Sequence, residues 1–289
     1  MDASSDRVAI VTGASAGIGL YTTLGLARAG IRVVMVGRHP ARTEAAREFV
    51  SERAPGAELD IALANLSSLD EVRALAADIL AKQGRIDVLV NNAGMISRRY
   101  AVSADGYEMT VAVNHLAPFL LTCLLLDRLK ASAQGRRASR IVTVASQAHR
   151  GARLDVATIT HPANWTPLSA YGRSKLANIL FTRVLAQRLD PATVTATCLH
   201  PGVIATDIGD RAGAIAGLGW RFAKLFLPGP EKGSQTSVFL ATVADPTPFH
   251  GAYVIGKRIV EPDPAARDNR LAEALWEESA HLVGLPSSA

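Results

Sequence analysis

The sequence predicts an α/β chain with a doubly wound, mostly parallel seven-stranded sheet and helices on both faces. Three observations carry that expectation. Short apolar runs rich in β-branched residues alternate with helical segments along most of the chain. The runs are continuous in apolarity, as in strands buried on both faces. The first run leads into a glycine-rich turn that opens a helix.

The elements follow in order. Val8 to Val11 reads as the first strand and Gly17 to Ala29 as the first helix. Ile31 to Val36 is a strand and Ala41 to Arg53 a helix. Leu59 to Leu63 is the third strand, followed by a helix over Ser68 to Lys82. Ile86 to Val90 is the fourth strand, and a long helix spans roughly Gly106 to Leu129. Arg140 to Val144, the helix Leu168 to Leu189 and Val194 to Leu199 continue the alternation. A helix from Glu231 to Thr242, a strand near Tyr253–Ile255 and a helix over Ala265 to Leu282 complete it. Regular β-α alternation of this kind means a parallel sheet. With no linker or composition break, residues 1–289 read as one domain.

The stretch from Pro201 to Pro230 breaks the rhythm with six glycines and the apolar run Trp220 to Leu227. It follows the carboxyl end of a strand, where open α/β sheets bind ligands. We expect a lid or substrate loop at about 201–230; an ordinary surface helix is the alternative.

Composition removes several classes. The chain is 48% hydrophobic and 20% charged, without a long block of one sign, which fits a soluble globular protein. The net charge of +5 and pI of about 9.5 come from scattered basic residues, with aromatics at only 5%. Solvated faces and an anionic cofactor explain that charge more simply than nucleic acid does. Cys123 and Cys198 form no CxxC or Cys/His cluster, so neither a disulfide framework nor a metal site is expected. The N-terminus lacks a signal-peptide pattern. The apolar run Ala117 to Leu126 is too short for a transmembrane helix. A cytoplasmic setting is the expectation.

The chemistry concentrates in a few motifs. In Thr12-Gly13-Ala14-Ser15-Ala16-Gly17-Ile18-Gly19, glycines permit a tight turn and let backbone N–H groups approach a pyrophosphate at a helix N-terminus. That places Gly13, Ser15, Ala16, Gly17, Ile18 and Gly19 against a dinucleotide. An NAD site puts an acid near the end of the second strand. Here Gly37 stands where that acid is expected, and Arg38 follows it. A guanidinium suits a 2′-phosphate, so the expected cofactor is NADP(H). Tyr171 and Lys175 are four apart and share a helix face. A cation beside a phenol lowers its pKa and prepares it for proton transfer.

These pieces together resemble the short-chain dehydrogenase/reductase family over nearly the whole chain. Thr12 to Gly19 is similar to its glycine turn and Asn91-Asn92-Ala93-Gly94 to its N-N-A-G motif. Asn114, Ser146, Tyr171 and Lys175 match its catalytic positions, and His200-Pro201-Gly202 its P-G turn. The chain further resembles the retinol dehydrogenase-like branch, with the WW-domain oxidoreductases and protochlorophyllide reductases. That rests on Ala145-Ser146-Gln147-Ala148-His149, Ser174 to Phe181, Leu199 to Gly202, Ala266-Arg267-Asp268 and Leu275-Trp276. The separation of Ser146 and Tyr171 agrees with that branch, and Arg150 to Pro167 would form a loop at the pocket edge. One departure is Asn65-Leu66, where the family usually has Asp-Leu or Asn-Val beside the adenine.

The resemblance implies a Rossmann-type oxidoreductase. Tyr171 would be the general acid or base, Ser146 would hold the carbonyl oxygen, and Lys175 the nicotinamide ribose. Asn114 would hold a water in a proton relay through Lys175. Asn65, Leu66, Asn92, Ala93, Gly94, Pro201, Gly202, Val203 and Thr206 would complete the cofactor site. His149 and His200 read as structural, and Asp87 as a brace. A hydrophobic ketone, aldehyde or alcohol is the expected substrate: a retinoid, steroid, lipid aldehyde or polyketide-like intermediate would fit. A homo-oligomer is compatible. The competing readings are a catalytically silent NADP(H)-sensing protein and a dehydratase- or epimerase-type relative.

Overall fold

The structure is a computed structural model that describes residues 6–133, 137–202 and 229–286. The strands form one sheet in the order β3-β2-β1-β4-β5-β6-β7-β8. They are β1 (Val8–Thr12), β2 (Arg32–Gly37), β3 (Leu59–Leu63), β4 (Val88–Asn91), β5 (Ser139–Val144), β6 (Val194–His200), β7 (Tyr253–Ile255) and β8 (Arg258–Ile259). All pairs are parallel except β7 with β8.

Eight strands stand where the sequence predicts seven. The extra one is a two-residue antiparallel return, reached through Gly256 and Lys257, both at positive φ (55° and 67°). Positive φ at both central residues defines the hairpin turn whose twist matches the strands it joins. Lysine is rare in that conformation, so nothing in the sequence marks the turn.

The helices are α1 (Gly17–Arg28), α2 (Pro40–Arg53), α3 (Leu69–Lys82), the single turn α4 (Met109–Val111), α5 (Ala117–Ala133), α6 (Pro167–Gln187), α7 (Pro230–Thr242) and α8 (Asn269–Leu282). Alternate residues of each central strand feed opposite cores. Val8, Ile10, Val34 and Val36 join the side chains of α3, α5, α6 and α8. Ala9, Val11, Val33 and Met35 join those of α1, α2 and α7. This is why the strands read as unbroken apolar runs. Each buried Val or Leu in them contributes about 1.5–3 kcal/mol.

Local chemistry sets the helix ends. Ser68 caps α3 by accepting from the Glu71 N–H. Thr166 and Ser169 form a reciprocal capping box ahead of α6, with Pro167 at its first position. Asp268 accepts from the Arg270 and Leu271 N–H groups, so α8 starts at Asn269 rather than at Ala265.

The long helix expected over Gly106–Leu129 is also broken. Glu108 caps α4, and Ala112–Leu116 widens into a π-helical turn before α5. There the Ala117 N–H reaches the Ala112 carbonyl, five residues back. Pro118 explains the break: it has no N–H for the Asn114 carbonyl, and its ring crowds that oxygen in a regular helix. The combined run Met109–Ala133 is long and apolar enough to cross a membrane, unlike the shorter run counted from sequence. Most of it is buried inside the molecule, as a central core helix requires.

The strands align their carboxyl ends. Val11 sits opposite Val90, Asn91 opposite Thr143, and Val144 opposite Leu199. Chain order reverses between β1 and β4, so a crevice opens there at the carboxyl edge. Residues 203–228 lie outside the described residues, and with them nearly all of the expected 201–230 loop, including Val203 and Thr206.

Candidate active site

The crevice is built outward from Thr12 at the end of β1. Its hydroxyl donates to the Val90 carbonyl (3.3 Å) and accepts from the Asn92 and Ala93 N–H groups (3.0 Å each). The Asn92 amide donates to the Thr12 carbonyl at 2.8 Å. The glycine turn and the Asn92-Ala93-Gly94 segment are thereby stapled together. Gly19 packs beneath them, and a Cβ there would lie 2.2 Å from the Gly13 carbonyl oxygen. At Gly17, by contrast, φ is +56° and a Cβ would meet nothing within 4 Å. The turn is closed on its protein side and open on its outer side. The first turn of α1 carries no acidic residue, and Ala16 supplies no side-chain cap. Its N–H groups therefore suit a phosphate.

At the end of β2, Arg38 and His39 are exposed, and the Arg38 Nε donates to His39 Nε2 at 3.2 Å. No acid approaches this point from Asp60, which pairs with Arg32 at 2.8 Å and accepts from Gln83. Asn65 follows β3. Its Oδ1 accepts from the Ser67 N–H (3.3 Å) and hydroxyl (2.9 Å), a local turn that occupies its acceptor.

The expected catalytic side chains lie just after β5 (Ser146), on α6 (Tyr171 and Lys175) and in the π-helical turn ahead of α5 (Asn114). Ser146 and Tyr171 are half-buried at the crevice surface, whereas Asn114 and Lys175 are 0% and 3% exposed behind them. The Ser146 side chain lies close enough to the Tyr171 phenol to act on its titration. The Lys175 ammonium donates to the Val144 carbonyl at 2.8 Å and lies 5.5 Å from the Tyr171 ring centre. A Cβ at Gly94 would stand 3.4 Å from both the Lys175 Nζ and the Asn114 Oδ1, so these groups share one floor.

Burial governs the titration here. It raises the Tyr171 phenol above its ordinary value, and the neighbouring Ser146 offsets only part of that. Burial also lowers Lys175 to about 8. The net movement of Tyr171 is upward, opposite to the one expected from its spacing to Lys175. The physical reason is that desolvation penalises the ionised forms of both groups.

The Asn114 side chain is taken up by protein partners. Its Oδ1 accepts from the Met95 N–H at 2.8 Å, and its amide donates to the Met95 carbonyl (2.9 Å) and the Ser174 hydroxyl (3.0 Å). Ser174 in turn donates to the Tyr171 carbonyl at 2.8 Å. The side chain is thus fully engaged in clasping the Gly94 segment to α6. Any water on Asn114 falls to its main-chain carbonyl, which Pro118 cannot serve.

Both histidines are structural. His149 Nδ1 lies 2.6 Å from the Ser146 carbonyl, and its Nε2 accepts from the Asp263 N–H at 3.1 Å. His200 Nδ1 accepts from the Gln147 N–H at 3.4 Å, and burial lowers its pKa to about 4. Asp87 accepts from the Val8 N–H at 2.8 Å and pairs with Arg85, bracing the start of β1. Thr12, Ser174 and Thr43, which packs over Gly37, are site-building residues that the sequence reading did not single out. Ser174 had a signal, since a serine three residues after Tyr171 on a helix can bond its carbonyl.

Comparison with known proteins places this geometry. The family model for short chain dehydrogenases matches residues 7–216. The chain is 41% identical over 283 residues to dehydrogenase/reductase SDR family member 13 of Bos taurus, covering 96% of this chain and 74% of that protein. It is 37% identical over 289 residues to retinol dehydrogenase 13 of Homo sapiens, covering 96% and 85%. Among solved structures it resembles an uncharacterized protein from Mycobacterium paratuberculosis, with a TM-score of 0.77, 30% identity and coverage of 97% and 94%. It also resembles the NADP active-site complex of RhlG from Pseudomonas aeruginosa, with a TM-score of 0.69, 26% identity and coverage of 86% and 94%. The chain belongs to the short-chain dehydrogenase family, in its retinol dehydrogenase-like branch, and is an oxidoreductase.

Proposed function

We propose that this oxidoreductase transfers hydride between NADP(H) and a hydrophobic ketone, aldehyde or alcohol, with Tyr171 moving the proton. The observation that carries the reading is the buried Lys175 ammonium, 5.5 Å from the Tyr171 ring centre and beside Gly94, with Ser146 close to the phenol. A phenol is already protonated at neutral pH, and burial moves Tyr171 further in that direction, toward the form that carbonyl reduction needs. Tyr171 donates that proton to the carbonyl oxygen, and Ser146 stabilises the charge developing there. In the reverse direction the phenolate accepts it.

The residues present fit the cofactor. The uncapped start of α1 and the open space at Gly17 suit the pyrophosphate. Arg38 suits a 2′-phosphate. Asn65 and Leu66 would flank the adenine, Lys175 would hold the nicotinamide ribose, and Asn92 to Gly94 with Pro201 and Gly202 would border the nicotinamide. When bound, the cofactor supplies or accepts the hydride. NADP in the RhlG complex supports the choice. The substrate class is supported by an exposed apolar group near Tyr171: Leu168, one helical turn before it, is 69% exposed.

The test is cofactor consumption against a panel of hydrophobic carbonyls, with NADPH and NADH in parallel. Turnover with NADPH and little with NADH is the expected result. Comparable rates with NADH overturn the assignment of Arg38. Binding of NADPH without turnover of any carbonyl favours a silent, cofactor-sensing protein.

A further inference from the structure

Gly37 ends β2 at the position where a carboxylate would select NAD over NADP. Its lack of a side chain has a cause elsewhere in the fold. A Cβ at residue 37 would stand 2.1 Å from the Thr43 Oγ1, 3.0 Å from its Cγ2 and 3.1 Å from its Cβ. Two arms of the threonine fork therefore crowd the same point, and exchanging them by rotation brings the other arm against it. Thr43 has little freedom to turn away. It is completely buried, it is β-branched within a helix, and its hydroxyl donates to the His39 carbonyl at 2.9 Å. His39 is the residue that precedes α2, so this bond also fixes the turn bearing Arg38.

We infer that Thr43 is a specificity-determining residue that touches no cofactor: it forbids any side chain at residue 37 and so excludes the acidic, NAD-selecting arrangement. The inference rests on the reading of Arg38 as the 2′-phosphate partner. It deepens that reading, because cofactor choice is then set by a pair of positions, one polar and one steric. Gly37→Asp alone has no room. With Thr43→Ala the nearest remaining atom is the residue 43 Cβ at 3.1 Å, still a tight contact. With Thr43→Gly that contact is gone.

The experiment measures dissociation constants for NADH and NADPH by cofactor fluorescence, together with melting temperatures. The proteins are the wild type, Gly37→Asp, Gly37→Asp/Thr43→Ala and Gly37→Asp/Thr43→Gly. In the single variant we expect a lowered melting temperature and no gain for NADH. In the Thr43→Gly double variant we expect NADH to bind about tenfold or more tighter than in the single variant, the scale of a hydrogen bond to a charged group. The Thr43→Ala variant should fall between. If the single variant fails to fold while the double variants fold, the steric gate is supported. Equal NADH affinity and equal melting temperature in single and double variants overturn it. The wild-type NADPH/NADH ratio tests the Arg38 reading separately, since the gate is judged only by the difference between the single and double variants.

Discussion

Two regions at the carboxyl edge of the sheet are built on opposite principles. Around Tyr171, each polar group is held by others: Asn114 by Met95 and Ser174, Ser174 by the Tyr171 carbonyl, Lys175 by the Val144 carbonyl, Ser146 through His149. Two of these side chains, Asn114 and Lys175, are almost wholly shielded from water. At the end of β2, Arg38 and His39 stand in solvent, with each other as partners. The first region fixes geometry and shifts titration by desolvation. The second offers charge that salt can screen. Proton transfer needs the former, because a displaced donor loses its rate advantage. Recognition of a phosphate tolerates the latter, since attraction acts over a Debye length of about 8–10 Å at ordinary ionic strength.

The sharpest way to break this comparison is Tyr171→Phe. The ring and its packing remain while the hydroxyl is lost. Turnover should fall by about 10²–10⁴-fold, the range of general acid–base catalysis. NADPH affinity should change little, and the loss should be independent of salt. A turnover number near wild type would remove Tyr171 from the chemistry.

Arg38→Ala should act in the opposite way. NADPH affinity should weaken about tenfold or more, the scale of charge-assisted hydrogen bonds, while NADH affinity stays near wild type. Because Arg38 is exposed, the difference from wild type should shrink between low salt and about 0.5 M salt. Fluorescence titrations at two ionic strengths check both points. An equal loss for NADH would place the effect on the turn as a whole rather than on the 2′-phosphate.

The two regions were also unequally legible in the sequence. Strands buried on both faces, such as β1, announce themselves by unbroken apolar runs, and even the edge strand β3 begins and ends at its expected limits. The motif residues Asn114, Ser146, Tyr171 and Lys175 do converge. What they do there was less readable. The amide of Asn114 is consumed by Met95 and Ser174, contacts that depend on how α6 meets the Gly94 segment. The upward shift of Tyr171 depends on burial, which spacing alone does not reveal. Thr43 reaches Gly37 only once α2 folds back over β2. The β8 return escaped because its turn uses a lysine at positive φ and its strand buries no side chain.

The smallest expected effect sharpens the comparison at Asn65, which shares the open character of Arg38 but carries no charge. Asn65→Asp keeps the acceptor that the Ser67 N–H and hydroxyl use, so the local turn should persist. It adds a negative charge close to Glu71, whose carboxylate accepts the Asn65 N–H at 2.7 Å. Repulsion between exposed carboxylates is worth about 0.2–1 kcal/mol. A cofactor bearing its own phosphates adds to that repulsion. NADPH affinity should therefore fall by no more than about fivefold at low salt and recover as salt rises. The same titrations read it, and a loss as large as that of Arg38→Ala would mean that Asn65 recognises the adenine through its amide donor rather than merely shaping the turn.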